Sequence, residues 1–160
     1  MRRVTVLVCG EPMRGDDAVA EAVVRALPSP TAELADICRV GGLMPDDLLS
    51  AGDAVVVVDA VRGLPAGTVI DVPLDGVGAL EADRVAPASS HALPLPAVVA
   101  IAEQLGGRRP EGRFVGVAGD GFTLGAALSP GVRDAIEPAA ARLDHWIRVL
   151  AHGRRLPGCA

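Results

Sequence analysis

Acidic side chains and one histidine follow apolar runs or precede a helix in this sequence, which are common positions for catalytic and metal-binding residues. Asp16 and Asp17 come shortly after the apolar run Val4–Cys9 and a Gly-Glu-Pro turn, and Asp59 directly follows four valines. His91 lies in a Ser-Ser-His segment ahead of a proline-rich helix start. Two carboxylates and an imidazole suit a divalent first-row metal with open coordination positions. Either carboxylate is also a candidate general base.

Each of these residues also has a purely structural interpretation. One acid at a helix start can cap the helix or offset its dipole, which explains one member of the Asp16–Asp17 pair better than both. We assign Asp16 a structural role and Asp17 a functional one, with Arg14 as a cation that offsets them. For Asp59, capping of the next turn and binding of a metal are equally good interpretations. A lone histidine is more often structural, so His91 matters only if its loop faces the two acids.

The apolar periodicity predicts the elements that position these residues. Continuous apolar runs at 4–9 and 55–58 are typical of strands buried on both faces. Weaker strand patterns and helical spacings of apolar residues occur in the rest of the chain. Further strands are predicted at 32–40, 67–72 and 113–117, and helices at 16–27, 45–50, 94–105 and 130–150, the last with a break or its true start at Pro138.

Strands that alternate with helices predict an α/β sheet with helices on each side. Ligands of such sheets bind at the carboxyl ends of the strands. The residues that follow the first strand and the valine strand therefore fall at one edge of the sheet. We expect Asp17, Asp59 and His91 to converge there.

Length and composition limit the classes of protein that this sequence can encode. A chain of 160 residues predicts one domain, which we place at 1–152, with a loose tail at 153–160. All 15 basic residues are arginines, so a lysine nucleophile or Schiff base is excluded. The net charge of −5 and the scattered arginines argue against a nucleic-acid surface.

The cysteine spacing and the apolar runs indicate the cellular compartment of the protein and whether it associates with a membrane. Three cysteines lie far apart without a CxxC pair, which favours reduced thiols in a cytoplasmic protein. No apolar run approaches the roughly 20 residues of a membrane span, and the start of the chain lacks a complete signal-peptide pattern. We therefore expect no membrane partner.

Several catalytic and cofactor motifs are absent from the sequence. It contains no HExxH zinc motif, no GxSxG elbow and no GxxxxGK[ST] phosphate loop. Cys9-Gly10-Glu11-Pro12 stands after the first strand where a dinucleotide-binding protein has GxGxxG. We expect no organic cofactor, and a flavodoxin-like or nucleotide-binding domain is disfavoured because acids stand where phosphates would lie. Cys9, at a buried strand end, is interpreted as a small core residue.

An ordered set of motifs resembles the hydrogenase maturation proteases, the endopeptidases that trim the C-terminus of the nickel-iron hydrogenase large subunit. GEPMRGDDAVA is similar to the family's GNPxxxDDGxG opening, and GGLMPDDLLSAGDAVVVVDAVRG to its GGTxGxxLL segment and DA dipeptide. GTVIDVP, SSHALPLPAVVAIAEQLG and LGAALSPGVRDAI match the following strand, the SxHxxxL helix entry and the LSP stretch. The matches cover nearly the whole chain in the family's order.

The resemblance implies a fold, a substrate and roles for three residues. The fold is a three-layer α/β/α arrangement with a twisted, mostly parallel five-stranded sheet and helices on both faces. Asp17, Asp59 and His91 would contact nickel already inserted in the large-subunit precursor, so that cleavage of a C-terminal extension follows metal loading. The two aspartates are the catalytic candidates, the nickel comes with the substrate, and a monomer is expected.

The chain departs from the family pattern at several positions. Glu11 replaces the usual Asn and adds a third carboxylate, Ala18 replaces a Gly, and Leu43 replaces a Thr. These changes affect the identity of the substrate more than the fold. They leave open a second hypothesis, a metal-binding assembly factor that docks on a hydrogenase precursor without cutting it.

Overall fold

The computed structural model describes residues 1–52, 54–80, 86–87 and 93–153. Within these ranges, none of the helices combines the length and the hydrophobicity needed to cross a bilayer. Strands and helices alternate along most of the chain. They are β1 Val4–Cys9, a 3-10 helix Gly15–Ala18, α1 Val19–Arg25, α2 Ser29–Ala32, β2 Ala35–Gly41, α3 Pro45–Ser50, β3 Val55–Arg62, β4 Val69–Pro73, a 3-10 helix Leu74–Ala79, β5 Ala86–Pro87, α4 Leu95–Gly106, β6 Gly112–Ala118 and α5 Pro130–Ala151.

The sheet is mostly parallel, as predicted. Its main strands lie in the order β2-β1-β3-β6-β4. β1, β2, β3 and β6 run parallel to one another, and β4 closes the far edge antiparallel to β6. The two-residue β5 pairs antiparallel with the end of β3. The carboxyl ends of the four parallel strands therefore meet at one edge, where the candidate residues were expected.

Two hydrophobic clusters cover the two faces of this sheet and make the three-layer α/β/α fold. Alternate residues of β3 point to opposite faces, as in any strand. Val56 and Val58 join the cluster that contains α1 and α5. Val55 and Val57 join the cluster that contains α3 and α4. Aliphatic side chains supply nearly all of both clusters, which is how a chain with 2% aromatic residues builds its core.

Helix α5 differs from the prediction because it runs without a break through Pro138. A proline inside a helix removes the hydrogen bond to the carbonyl four residues earlier. Here that carbonyl belongs to Asp134, and both Asp134 and Pro138 are exposed, so water can take the place of the missing donor. Val132 and Leu143, on either side of the proline, are fully buried, and their packing holds the helix together.

Helix α4 begins and ends close to the prediction, and Gly107 caps it in the left-handed conformation with φ of 68°. Its apolar face is narrower than predicted. Val98 and Ala102 are buried, whereas Ile101 and Leu105 are 39% and 66% exposed. The helix packs on one face of the sheet with one narrow stripe of side chains.

Asp71 joins β4, β6 and α5 through its two carboxylate oxygens. Oδ1 accepts a hydrogen bond from Nε of Arg113 at 3.0 Å, and Oδ2 accepts one from Nε1 of Trp146 at 2.8 Å. The Arg113 guanidinium also lies 3.9 Å from the centroid of the Trp146 ring. The antiparallel edge strand is thereby fixed to the last helix by a polar network and not by packing alone.

This network predicts that Asp71→Asn lowers the free energy of unfolding by about 2 kcal/mol, since a guanidinium and an indole N–H lose a charged, largely buried acceptor. Urea unfolding followed by circular dichroism measures the effect. Asp36→Asn is the matched control, because Asp36 pairs with Arg3 on the exposed surface. That variant should change stability little. Equal effects of the two substitutions on the free energy of unfolding would contradict the stabilising role of the Asp71 network.

Candidate active site at the carboxyl edge of the sheet

Asp59 lies inside β3 and not after its end, which corrects the predicted strand boundary. β6 pairs with β3 from Val55 to Val61, so the ladder continues past the valine run, and Asp59 stands opposite Gly116. Its side chain is partly buried, and Oδ1 accepts the backbone N–H of Ala60 at 2.8 Å. The carboxyl group is therefore held at the end of the sheet by the strand itself.

Asp17 is held by a tight loop after β1. Its side chain is nearly buried, and Oδ2 accepts the backbone N–H of Glu11 at 3.0 Å. Gly10 makes the loop possible, because it has a φ of 102° and a side chain there would lie 2.0 Å from the carbonyl oxygen of Asp17. The predicted cation is present as well, since Nη1 of Arg14 lies 4.0 Å from Asp17 Oδ2.

Asp17 and Asp59 are close enough for their charges to interact. Burial, followed by the negative charge of Asp17, raises the pKa of Asp59 to about 8, and the single hydrogen bond from Ala60 opposes that rise. Asp59 therefore carries a proton at neutral pH. Raised carboxyl pKa values of this kind are typical of functional sites.

Cys9 lies beside the same acids but is a core residue, as its sequence position indicated. It is 3% exposed, at the end of β1. Burial raises the pKa of its thiol well above the ordinary value, and the charges of Asp59, Asp47 and Asp17 raise it further. A thiol that resists ionisation is a poor nucleophile.

The described residues bring together two of the three predicted metal ligands. His91 lies outside the described residues, and its part in the site stays a prediction. Among the residues that are described, no group of three or more His, Cys, Asp and Glu side chains is arranged to hold a metal ion. The chain on either side of His91 is described. Pro87 pairs with Val61 at the end of β3, and α4 begins at Leu95.

Asp16 has a structural role, as predicted. It does not cap a helix, which is the role that we expected for it. Neither the 3-10 helix nor α1 has a side-chain cap. The Asp16 carboxylate instead accepts hydrogen bonds from the segment after β6. Oδ1 accepts from the backbone N–H of Ser129 at 2.7 Å, and Oδ2 accepts from the N–H groups of Asp120 and Gly121 and the hydroxyl of Ser129 at 3.0–3.1 Å.

The bonds to Asp16 outweigh the cost of its burial. The residue is fully buried, which by itself would raise the pKa of its carboxyl group. The four donors together reverse that effect and lower the pKa below the ordinary value. The neighbouring backbone strengthens the junction, because the N–H of Asp16 donates to the carbonyl of Gly121 at 2.8 Å.

The sequence did not predict that the segment between β6 and α5 lines the site. Arg14 donates from Nε to the carbonyl of Phe122 at 3.2 Å, and the Arg62 guanidinium lies 4.3 Å from the centroid of the Phe122 ring. A signal was present in the LSP stretch, which contains Ser129. Nothing in the spacing, however, indicated that Asp16 is its partner.

Comparison with known proteins supports the resemblance that the motifs indicated. No protein-family model and no curated protein sequence matches the chain. Solved structures match it over nearly its full length. The [NiFe] hydrogenase maturation protease HybD from Thermococcus kodakarensis superposes with a TM-score of 0.71 at 20% identity, covering 89% of this chain and 97% of that one.

Two further structures give the same result. The hydrogenase maturating endopeptidase HybD from E. coli has a TM-score of 0.70 at 23% identity and covers 94% of each chain. The maturation protease HycI from Thermococcus kodakarensis KOD1 has a TM-score of 0.60 at 25% identity, covering 91% of this chain and 92% of that one. The chain thus has the fold of the hydrogenase maturation proteases, and the fold predicted from the resemblance is confirmed.

The hydrogen bonds of Asp16 predict that Asp16→Asn destabilises the protein by about 3 kcal/mol at neutral pH, because an amide N–H group would then face backbone donors. Urea unfolding at several pH values measures the loss. A lowered carboxyl pKa stabilises the fold above the ordinary aspartate pKa of about 4, and that contribution disappears as the pH falls through the pKa of Asp16. The native protein and the variant should therefore converge in acid. Asp120→Asn, an exposed neighbour, should behave like the native protein.

The environment of Asp59 predicts the opposite pH dependence. Because its pKa is raised to about 8 in the folded protein and is about 4 in the unfolded chain, folding favours the protonated form. Its contribution to stability is complete below pH 4 and declines as the pH rises towards 8. Asp59→Asn removes that decline and keeps the acceptor for Ala60. The melting temperature of the variant should exceed that of the native protein by a margin that grows from pH 5 to pH 8, and a constant margin would contradict the prediction.

Proposed function

We propose that this protein is an endopeptidase that removes a C-terminal extension from the nickel-loaded precursor of a hydrogenase large subunit. The observation that carries the proposal is the meeting of Asp17 and Asp59 at the carboxyl edge of a sheet with the maturation-protease fold. The resemblance to that family implies that its two metal-contacting acids correspond to these same residues.

The charge state of the acid pair supports a substrate that brings a cation. Asp59 holds a proton because it is buried beside the charge of Asp17. A cation bound by both carboxylates would offset both charges, and Asp59 would release its proton as the cation binds. A precursor that already carries nickel supplies such a cation, whereas an unloaded precursor does not. The pair therefore favours cleavage after metal loading.

The same residues can carry the hydrolysis. Cleavage of a peptide bond needs a polarised carbonyl, a water molecule that loses a proton as it attacks, and a proton for the departing amine. Nickel held by Asp17 and Asp59 would place the scissile bond at the sheet edge. A carboxylate oxygen that is not bound to the metal can then take the proton from water and pass it to the amine. His91 is the proposed third contact to the nickel, since imidazole is a common nickel ligand.

Intact-mass spectrometry of a nickel-loaded large-subunit precursor tests the proposal. The native protein should release one defined C-terminal peptide. Asp17→Asn and Asp59→Asn should lower the rate at least a hundredfold, because each keeps the shape of the side chain but loses the charge that binds nickel. Asp36→Asn, which changes an exposed acid near the amino end of β2, should process the precursor at the native rate. Normal processing by both site variants would exclude the assignment.

The precursor without nickel provides the second control. It should remain uncut by the native protein, because the acid pair then has no cation to bind. Cleavage of both forms at equal rates would show that the carboxylates act as acid and base without recognising the metal.

Glu11 favours one alternative, a non-cleaving assembly factor. It replaces the family's usual Asn, it is exposed, and its Oε1 accepts the backbone N–H of Met13 at 3.2 Å. An additional carboxylate beside the acid pair can hold a nickel-loaded precursor without promoting hydrolysis. A stable complex with the loaded precursor, together with an unchanged precursor mass, would establish this alternative.

A further inference from the structure

Three large apolar side chains are exposed on the loops that surround the acid pair. Met13 follows β1 and is 65% exposed, Met44 follows β2 and is 53% exposed, and Leu124 follows β6 and is 74% exposed. We call these three residues the apolar rim. Clustered apolar groups on a surface mark sites of interaction, whereas single ones need no explanation.

Backbone contacts hold the apolar rim around the site. The N–H of Gly125 donates to the carbonyl of Met13 at 2.7 Å, which places Met13 next to Leu124. On the other side of the same loop, the N–H of Gly10 donates to the carbonyl of Gly41 at 2.8 Å, three residues before Met44. The loop that holds Asp17 therefore has apolar side chains on both flanks.

The charged side chains around the apolar rim limit the kind of polypeptide that can bind there. Exposed acids stand between and beside the rim residues, namely Glu11, Asp46 and Asp120. Of the basic side chains that the structure describes, Arg14 donates to the carbonyl of Phe122 and Arg62 lies over the ring of Phe122. The described acids at this edge therefore disfavour acidic side chains in a polypeptide that lies across it, and the rim favours apolar ones.

We propose that the apolar rim binds the precursor polypeptide beside the scissile bond through apolar side chains of the substrate, and that acidic substrate side chains weaken this binding. The inference rests on the proposed function, because the acid pair lies between the flanks of the rim. It adds the chemical class of the residues next to the cleavage point. Met13 and Leu124 act on one flank and Met44 on the other.

Cleavage kinetics of a variant with both Met13→Ser and Leu124→Ser test the proposal. KM for the nickel-loaded precursor should rise about tenfold while kcat stays within about twofold, because the acid pair is unchanged and only binding is weakened. Ile101→Ser with Leu105→Ser is the matched control, since these exposed side chains lie on α4, away from the rim. The control should keep the native KM. Melting temperatures within about 2 °C of the native protein establish that both variants are folded.

The substrate offers a reciprocal test. Replacing one apolar residue beside the scissile bond with Asp should raise KM about tenfold, and replacing it with Ser should raise KM less. Unchanged KM in the rim variant, or equal tolerance of Asp and Ser, would overturn the inference.

Direct binding separates failure of this inference from failure of the proposed function. The dissociation constant of the loaded precursor is measured by biolayer interferometry with the native protein, the rim variant and the α4 control. Weaker binding by the rim variant alone supports the apolar rim even if the native protein does not cleave, in which case the protease assignment fails. Native cleavage with equal binding by all three proteins overturns the rim and leaves the protease assignment in place.

Discussion

The site depends on a buried negative charge that can exist only if it is fully hydrogen-bonded. Asp16 meets that condition by taking its four donors from the segment after β6. β3 lies between β1 and β6 in the sheet, so this junction links the loops of the two strands that flank Asp59. The position of Asp17, the next residue, is fixed by the same junction. Loss of the bonds at Asp16 would therefore loosen the frame in which both candidate carboxylates are held.

Asp16 and Asp59 show how one type of side chain obtains opposite properties from its surroundings. Burial favours the neutral form of both, with Asp16 fully buried and Asp59 partly buried. Asp16 receives four hydrogen bonds and keeps its charge, whereas Asp59 receives one from Ala60 and also faces the charge of Asp17. The number of donors thus separates a carboxylate that keeps its charge from one that favours its proton, and the local sequence around each gives no indication of that number.

Local sequence signals predicted most of the fold and part of the site. β1 and α3 have the predicted bounds because an uninterrupted apolar run and a proline at a helix start are local signals. The length of β3 depends on its pairing with β6, and the continuity of α5 through Pro138 depends on the packing of Val132 and Leu143 in the core. Both were predicted wrongly. The same reason explains Asp16, whose role was predicted but whose partners, more than 100 residues away, were not.

An acid pair that resists losing its proton is a cost to the folded protein and a property of use to an enzyme. The pKa of Asp59 means that the empty site is less stable near neutral pH than a site with an uncharged amide would be. A ligand that offsets the charge of Asp17 would remove part of this cost when it binds. A cation does so, because it removes the repulsion between the carboxylates at the moment it binds. On this argument the raised pKa of Asp59 and the proposed preference for a metal-loaded substrate would have one physical origin.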